Sequence, residues 1–190
     1  MAELIDKAYM PWILGVLALL FLWLLVRYVR ARRSRLKQVI RQIAFDRLNN
    51  LVIPNGDDGE ILIDQLLLTS QGLLILEIKD VEGVVFGSDK MQDWTVISDR
   101  RRYTFTNPQH GLYDRIAAVR EIVQQVPVAG RILFLDGAEF TKGTPGLVAS
   151  LDQLAEEFGE NNKKNAQVKV EAFQPHWELI RDKAASFATR

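Results

Sequence analysis

Residues 60–79, EILIDQLLLTSQGLLILEIK, limit the fold more than any other stretch of this chain. Two almost wholly apolar segments, 60–68 and 73–79, flank the short connection TSQG. Each is too short for an ordinary helix and too apolar for a strand with one wet face. They read as neighbouring strands of a sheet covered on both sides, joined by a hairpin-length turn containing glycine. The rest of the chain supplies the cover. GVVFG at 83–87, WTVIS at 94–98 and YTF at 103–105 are further strand candidates. Leu112, Ile116, Val119, Ile122 and Val126 recur at helical spacing up to Pro127, and RILFLD at 131–136 is another buried strand. Leu147, Leu151, Leu154 and Phe158 mark a helix ending at Gly159, Val168, Val170 and Ala172 alternate as in an edge strand, and Trp177, Ile180, Ala184 and Phe187 mark a closing helix. That order predicts an α/β fold, a mixed sheet flanked by helices.

The N-terminal part is different in kind. Residues 8–26, AYMPWILGVLALLFLWLLV, carry no formal charge over 19 residues. As a helix they would extend roughly 28 Å, about the hydrocarbon thickness of a bilayer. One transmembrane helix is therefore expected ahead of the folded part, rather than a buried soluble helix, because helices apolar on every face are rare away from membranes. Tyr9, Trp12, Trp23 and Tyr28 suit interfacial positions. The net charge of +0 conceals an asymmetry: residues 1–41 hold eight Lys/Arg against two Asp/Glu, and residues 42–190 hold 16 against 22. The basic run RYVRARRSRLK follows the apolar stretch, which predicts an N-terminus outside and the remainder in the cytoplasm. The expected organisation is an outer N-terminus at 1–7, a span at 8–26, a basic juxtamembrane segment with an amphipathic helix at 27–48 (broken near Ser34), and a folded domain at 49–190. The absence of cysteine removes disulfides and thiolate chemistry.

Three charges interrupt the apolar strands. Side chains alternate along a strand, so Glu77 and Lys79 point the same way with Leu73 and Ile75, and Asp64 shares a face with Leu62, Leu66 and Leu68. A plausible register brings Asp64 within a few ångströms of Glu77. Two buried carboxylates repel each other, and a divalent cation relieves both the repulsion and the burial. Mg²⁺ is commonly held by one or two carboxylates, with other positions left to water and phosphate, and a neighbouring lysine can stabilise charge developing on phosphate. The pattern thus suits phosphodiester hydrolysis. Taken alone it suits a same-face ion pair and a lone turn acid almost equally well.

The ordered set Ile63-Asp64, Gly72, Glu77-x-Lys79, Gly83, Trp94 and Asn107-Pro108 resembles the nuclease-related domain (NERD) family, within the PD-(D/E)xK, restriction-endonuclease-like group. The resemblance implies a restriction-endonuclease-like mixed sheet and Mg²⁺- or Mn²⁺-dependent cleavage of DNA or RNA. It implies Asp64 and Glu77 as metal ligands, the Ile78 carbonyl as a further ligand, and Lys79 as the catalytic lysine. It also fits an anchor in a bacterial inner membrane. Two positions depart from the family pattern. The helix at 34–48 has Asp46 as its only acid and lacks a Gly-Glu pair, and Gly111 stands where a glutamine is frequent. Gln109 and His110 lie nearby as accessory candidates. Arg101, in the basic run 100–102, is either a phosphate contact or part of a solvated hairpin tip. The acidic balance after residue 41 argues against tight nonspecific DNA binding. Two functions follow: a membrane-anchored metal-dependent nuclease, or an inactive nuclease-derived module tethering a nucleic acid or protein partner to the membrane.

Overall fold

The computed structural model of the chain describes the backbone of residues 2–55, 59–135, 137–160 and 163–188, and the side chains of 13–28, 34–54, 59–135, 137–160 and 164–185. The chain divides into two compact units, residues 1–38 and 39–190. Helix α1, Ala2–Ile43, crosses that boundary and runs through Ser34 without the expected break. Within the first unit the large apolar side chains from Ile13 to Val26 are exposed. Among the described residues no helix is long and apolar enough to cross a membrane. The described side chains of the expected span begin at Ile13, and those of residues 8–12 lie outside the described residues.

The second unit is built on a five-stranded sheet. Its strands are β1 (Ala44–Asn55), β2 (Gly59–Thr69), β3 (Gly72–Lys79), β7 (Val128–Phe134) and β9 (Val148–Ala149), in the order β1-β2-β3-β7-β9. The first three form an antiparallel meander, and β7 and β9 add in parallel. The two apolar segments at 60–79 are the central strands, as their composition requires. The β2–β3 turn is tight. Gly72 has φ +122°, and a Cβ there would lie 2.2 Å from the Pro127 carbonyl oxygen, so neither the dihedral nor the space admits a side chain.

Two stretches read as something else in sequence. Residues 44–48 fit a helical pattern, yet they begin β1, where Asp46 to Asn49 pair with Leu68 to Gln65. The long apolar β2 needs a partner along its outer edge, and that long-range pairing outweighs local spacing. Residues 168–172, expected as an edge strand, lie inside helix α4 (Lys163–Ala188). Val168 is 67% exposed, while Ala166, Val170, Trp177, Ile180 and Ala184 are buried at helical intervals. Of the three alternating residues only Val170 is buried, Val168 and Ala172 being exposed on the helix. Helix α4 packs along β1 and β2, and Trp177 donates to Asp46 Oδ2 at 2.8 Å.

Helix α2 (Pro108–Ile122) covers one face of the sheet and rests on Gly130 of β7. A Cβ on Gly130 would lie 2.8 Å from the tips of Leu112 and Ile116. Helix α3 (Leu151–Phe158) belongs to the other face, where Arg131 pairs with Glu157 and lies 5.8 Å over the Phe158 ring. A second sheet, β6-β5-β4-β8, is formed by β4 (Gly83–Phe86), β5 (Asp93–Ile97), β6 (Arg102–Thr106) and β8 (Ala138–Glu139). Its inner side carries Trp94, fully buried among Phe105, Phe134 and Phe140. A mixed α/β fold with helices against the sheets is what the sequence pattern predicts. The division of the strands between two sheets is not.

Candidate functional site

The β2–β3 ladder runs from Thr69 opposite Gly72 to Gln65 opposite Leu76 and goes no further. The next rung would set Asp64 against Glu77, so the strands part at the two acids singled out in sequence. Asp64 also sits at a crease. On β2 the residues packed into the core are Ile61 and Ile63 on one side of it and Leu66 and Leu68 on the other. On β1 they are Leu48 and then Leu51 and Ile53. Odd and even positions exchange between the Asn49–Gln65 and Leu51–Ile63 pairs, around Asn50 and Asp64. Asn50 there adopts φ +51°, a left-handed conformation that asparagine tolerates better than most residues. Strict alternation therefore fails at Asp64. Leu62 is half-exposed while Leu66 and Leu68 are buried, so Asp64 does not share one continuous face with all three.

Glu77 lies on the α2-covered face and is 6% exposed. Its Oε1 is 2.6 Å from Lys79 Nζ, the two side chains projecting from the same side of β3 as their spacing predicts. Its Oε2 is buried without a hydrogen-bond partner. Arg115 of α2 places its Nη1 3.5 Å from that oxygen. Arg115 is itself anchored, its Nε donating to the Leu62 carbonyl of β2 at 2.8 Å. One guanidinium thus bridges the two strands where they separate. Asp64 is exposed, and among the described residues no ion pair or hydrogen bond joins it to Glu77 or Lys79.

Ile78 presents its backbone to the same gap. Leu73 N–H donates to Pro127 O and Leu135 N–H donates to Lys79 O, so odd-numbered residues of β3 direct their peptide groups toward β7. By strand alternation Ile78 directs its carbonyl toward β2, beyond the last β2–β3 rung. Glu77 Oε2, the Ile78 carbonyl and the exposed Asp64 carboxylate are the oxygen donors at this end of the β2–β3 ladder, the donor types a hard divalent cation takes. Among the described residues no cluster of three or more His, Cys, Asp or Glu could hold a metal ion.

The other sequence candidates lie elsewhere. Gln109 is buried, and its side-chain carbonyl accepts from Leu147 N–H at 3.0 Å, securing the approach to β9. His110 is exposed on α2. Arg101 is exposed at the β5–β6 turn, 4.9 Å over the Tyr103 ring. Asn107 is a scaffold residue. Its Oδ1 accepts from Gln109 N–H at 3.0 Å as the N-cap of α2, and its Nδ2 donates to the Met91 carbonyl at 2.8 Å. Trp94 Nε1 donates to Ser88 O at 3.1 Å in the same loop. Arg115 is the residue that sequence reasoning missed. Its only signal was a cation lying between Leu112 and Ile116 on the buried face of a helix.

These features define an α/β domain of nuclease-related type, with a Glu-x-Lys strand at the centre of its main sheet. A model of the family described as NERD, nuclease-related domain, matches residues 29–135, more than half of the chain. The chain belongs to the NERD family. The match covers Asp64, Glu77, Lys79, Asn107 and Arg115, and it ends before α3 and α4. An uncharacterized protein of Bacillus anthracis is 30% identical over 78 residues, 41% of this chain and 37% of the relative. The chain thus spans little more than a third of the length of that curated relative. No solved structure matches.

Proposed function

We propose that the domain is a metal-dependent phosphodiesterase acting on nucleic acid, with Asp64, Glu77 and the Ile78 carbonyl holding Mg²⁺ or Mn²⁺ and Lys79 as the catalytic lysine. The observation that carries this reading is Glu77 Oε2, a buried acceptor without a hydrogen bond, set beside Lys79 in a family defined by nuclease relationship. A bound divalent cation would supply Lewis-acid stabilisation of charge on the phosphate. The chain's own groups do the rest. Glu77 fixes the Lys79 ammonium at the strand end, where it can orient a water and meet negative charge building on a phosphoryl oxygen. Burial of Glu77 under α2 lowers the dielectric at its end of the pair, while Lys79 stays partly open to solvent and substrate. The test is cleavage of labelled single- and double-stranded DNA and RNA by the purified full-length chain with Mg²⁺ or Mn²⁺. Loss of cleavage in Lys79→Ala supports the assignment, and equal cleavage by wild type and variant refutes it.

A second reading is a nuclease-derived module that binds a nucleic acid or a protein without turnover. Arg115 favours it, because Lys79 and Arg115 together neutralise Glu77 without a metal. Calorimetric titration with Mg²⁺ separates the two: no metal binding, with partner binding retained in Asp64→Asn/Glu77→Gln, selects the module.

We also propose that the N-terminal part of α1 anchors the protein in a bacterial inner membrane, N-terminus out. Exposed apolar side chains run from Ile13 to Val26 around the whole helix, an arrangement that water disfavours and lipid accepts. The basic residues that follow set the orientation. Alkaline carbonate extraction of bacterial membranes tests the anchor: release of the intact chain into the soluble fraction would overturn it.

A further inference from the structure

The geometry points to Arg115 as a resident counter-cation of Glu77, a positioning residue whose guanidinium must leave Oε2 before a divalent cation can bind there. This rests on the reading of Asp64, Glu77 and Ile78 as a metal site. Three observations support it. First, Arg115 attends Oε2 without seating on it. Nη1 stands 3.5 Å away and the oxygen has no hydrogen bond, whereas a structural Arg–carboxylate pair is usually hydrogen-bonded and often two-pronged. Second, the chain makes room for the contact. A Cβ on Gly111 would lie 3.0 Å from Nη1. Glycine inside a helix is unfavourable relative to alanine, so its presence one turn before Arg115 clears space that a side chain would take. Third, the guanidinium has somewhere to go. Arg115 itself lines a shallow cavity of about 240 Å³ together with Glu60, Gly111 and Asp114, which leaves its side chain room to swing away from Glu77. Two acids there can receive a cation displaced from Glu77.

The consequence is a competition. A positive charge beside a carboxylate opposes the arrival of a second cation, and Arg115 keeps Glu77 charge-balanced until one arrives. Once displaced, its planar fork of donors suits a phosphate oxygen better than a lysine would, so the residue that yields to the metal can then face the substrate.

The experiment is titration of the purified full-length chain with Mn²⁺ alone, followed by the electron paramagnetic resonance of free Mn²⁺. Arg115→Gln is expected to bind Mn²⁺ ~10-fold more tightly than wild type, since a like charge a few ångströms away is removed. Gly111→Ala, which crowds Nη1 while improving the helix, is expected to tighten binding ~2-fold and serves if Arg115→Gln does not fold. Glu77→Gln should bind weakly with or without the Arg115 change. Equal or weaker binding by the folded Arg115 and Gly111 variants overturns the competition while leaving the metal site standing. Failure of wild type and every variant to bind Mn²⁺ overturns both.

Discussion

Replacing Asn107 by alanine should unfold the protein at lower temperature without touching the chemistry of the site. Asn107 is 1% exposed and works at both ends of its amide. The Oδ1 bond to Gln109 N–H caps α2 at a point where Pro108 already removes one donor, and loss of such a cap costs about 0.5–2 kcal/mol. The Nδ2 bond to the Met91 carbonyl holds the 88–92 loop against the start of the helix, and leaving that acceptor unpaired costs about 1–3 kcal/mol more. The two add to roughly 1.5–5 kcal/mol, because both partners stay in place after truncation. For a unit of this size that lowers Tm by about 5–15 °C. Thermal unfolding of the full-length chain, followed by near-ultraviolet circular dichroism of the buried Trp94 and Trp177, measures it. Asn107→Ser keeps a capping oxygen but cannot reach Met91, and should fall about midway between wild type and alanine. A Tm within ~2 °C of wild type for Asn107→Ala would refute the scaffold role. So would loss of cleavage at unchanged Tm, which would move the Asn-Pro pair from scaffold to chemistry.

Gly87→Ala should be severely destabilising, by about 2–4 kcal/mol in denaturant unfolding, because its Cβ would lie 2.4 Å from the Trp94 indole, which is locked among three phenylalanines. Trp177→Phe should cost about 1–2 kcal/mol by removing the donor to Asp46, and Asp46→Asn, which keeps an acceptor, should cost less in the same assay. Arg101→Ala should leave cleavage and Tm unchanged, since Arg101 is an exposed residue of a turn in the second sheet; a tenfold loss of cleavage would restore it as a phosphate contact.

Much of the local structure was legible. Continuous apolar runs at 60–68 and 73–79 mark buried strands because no exposed element tolerates them, and the same-face pairing of Glu77 with Lys79 follows from alternation alone. The misreadings share a cause. Residues 44–48 and 168–172 carry short patterns compatible with either period, and a distant partner decided each: β2 for the first, the packing of α4 on β1 for the second. Gln109 drew attention as an accessory of the site because it is polar and adjacent in sequence, and its side-chain carbonyl accepts from Leu147 N–H.

Sequence by itself determined that 60–68 and 73–79 are buried strands and which acids and lysine interrupt them, since apolar runs and alternation depend on neighbours two to four residues away, and the ordered motif from Ile63 to Pro108 pointed to the family. Tertiary structure alone decided that β2 and β3 separate at Asp64 and Glu77, that β1 and β2 change face around Asn50 and Asp64, and that Arg115 stands beside Glu77. Twist, register and the helix residue that covers a strand face are set by packing between segments tens of residues apart, and no local period encodes them.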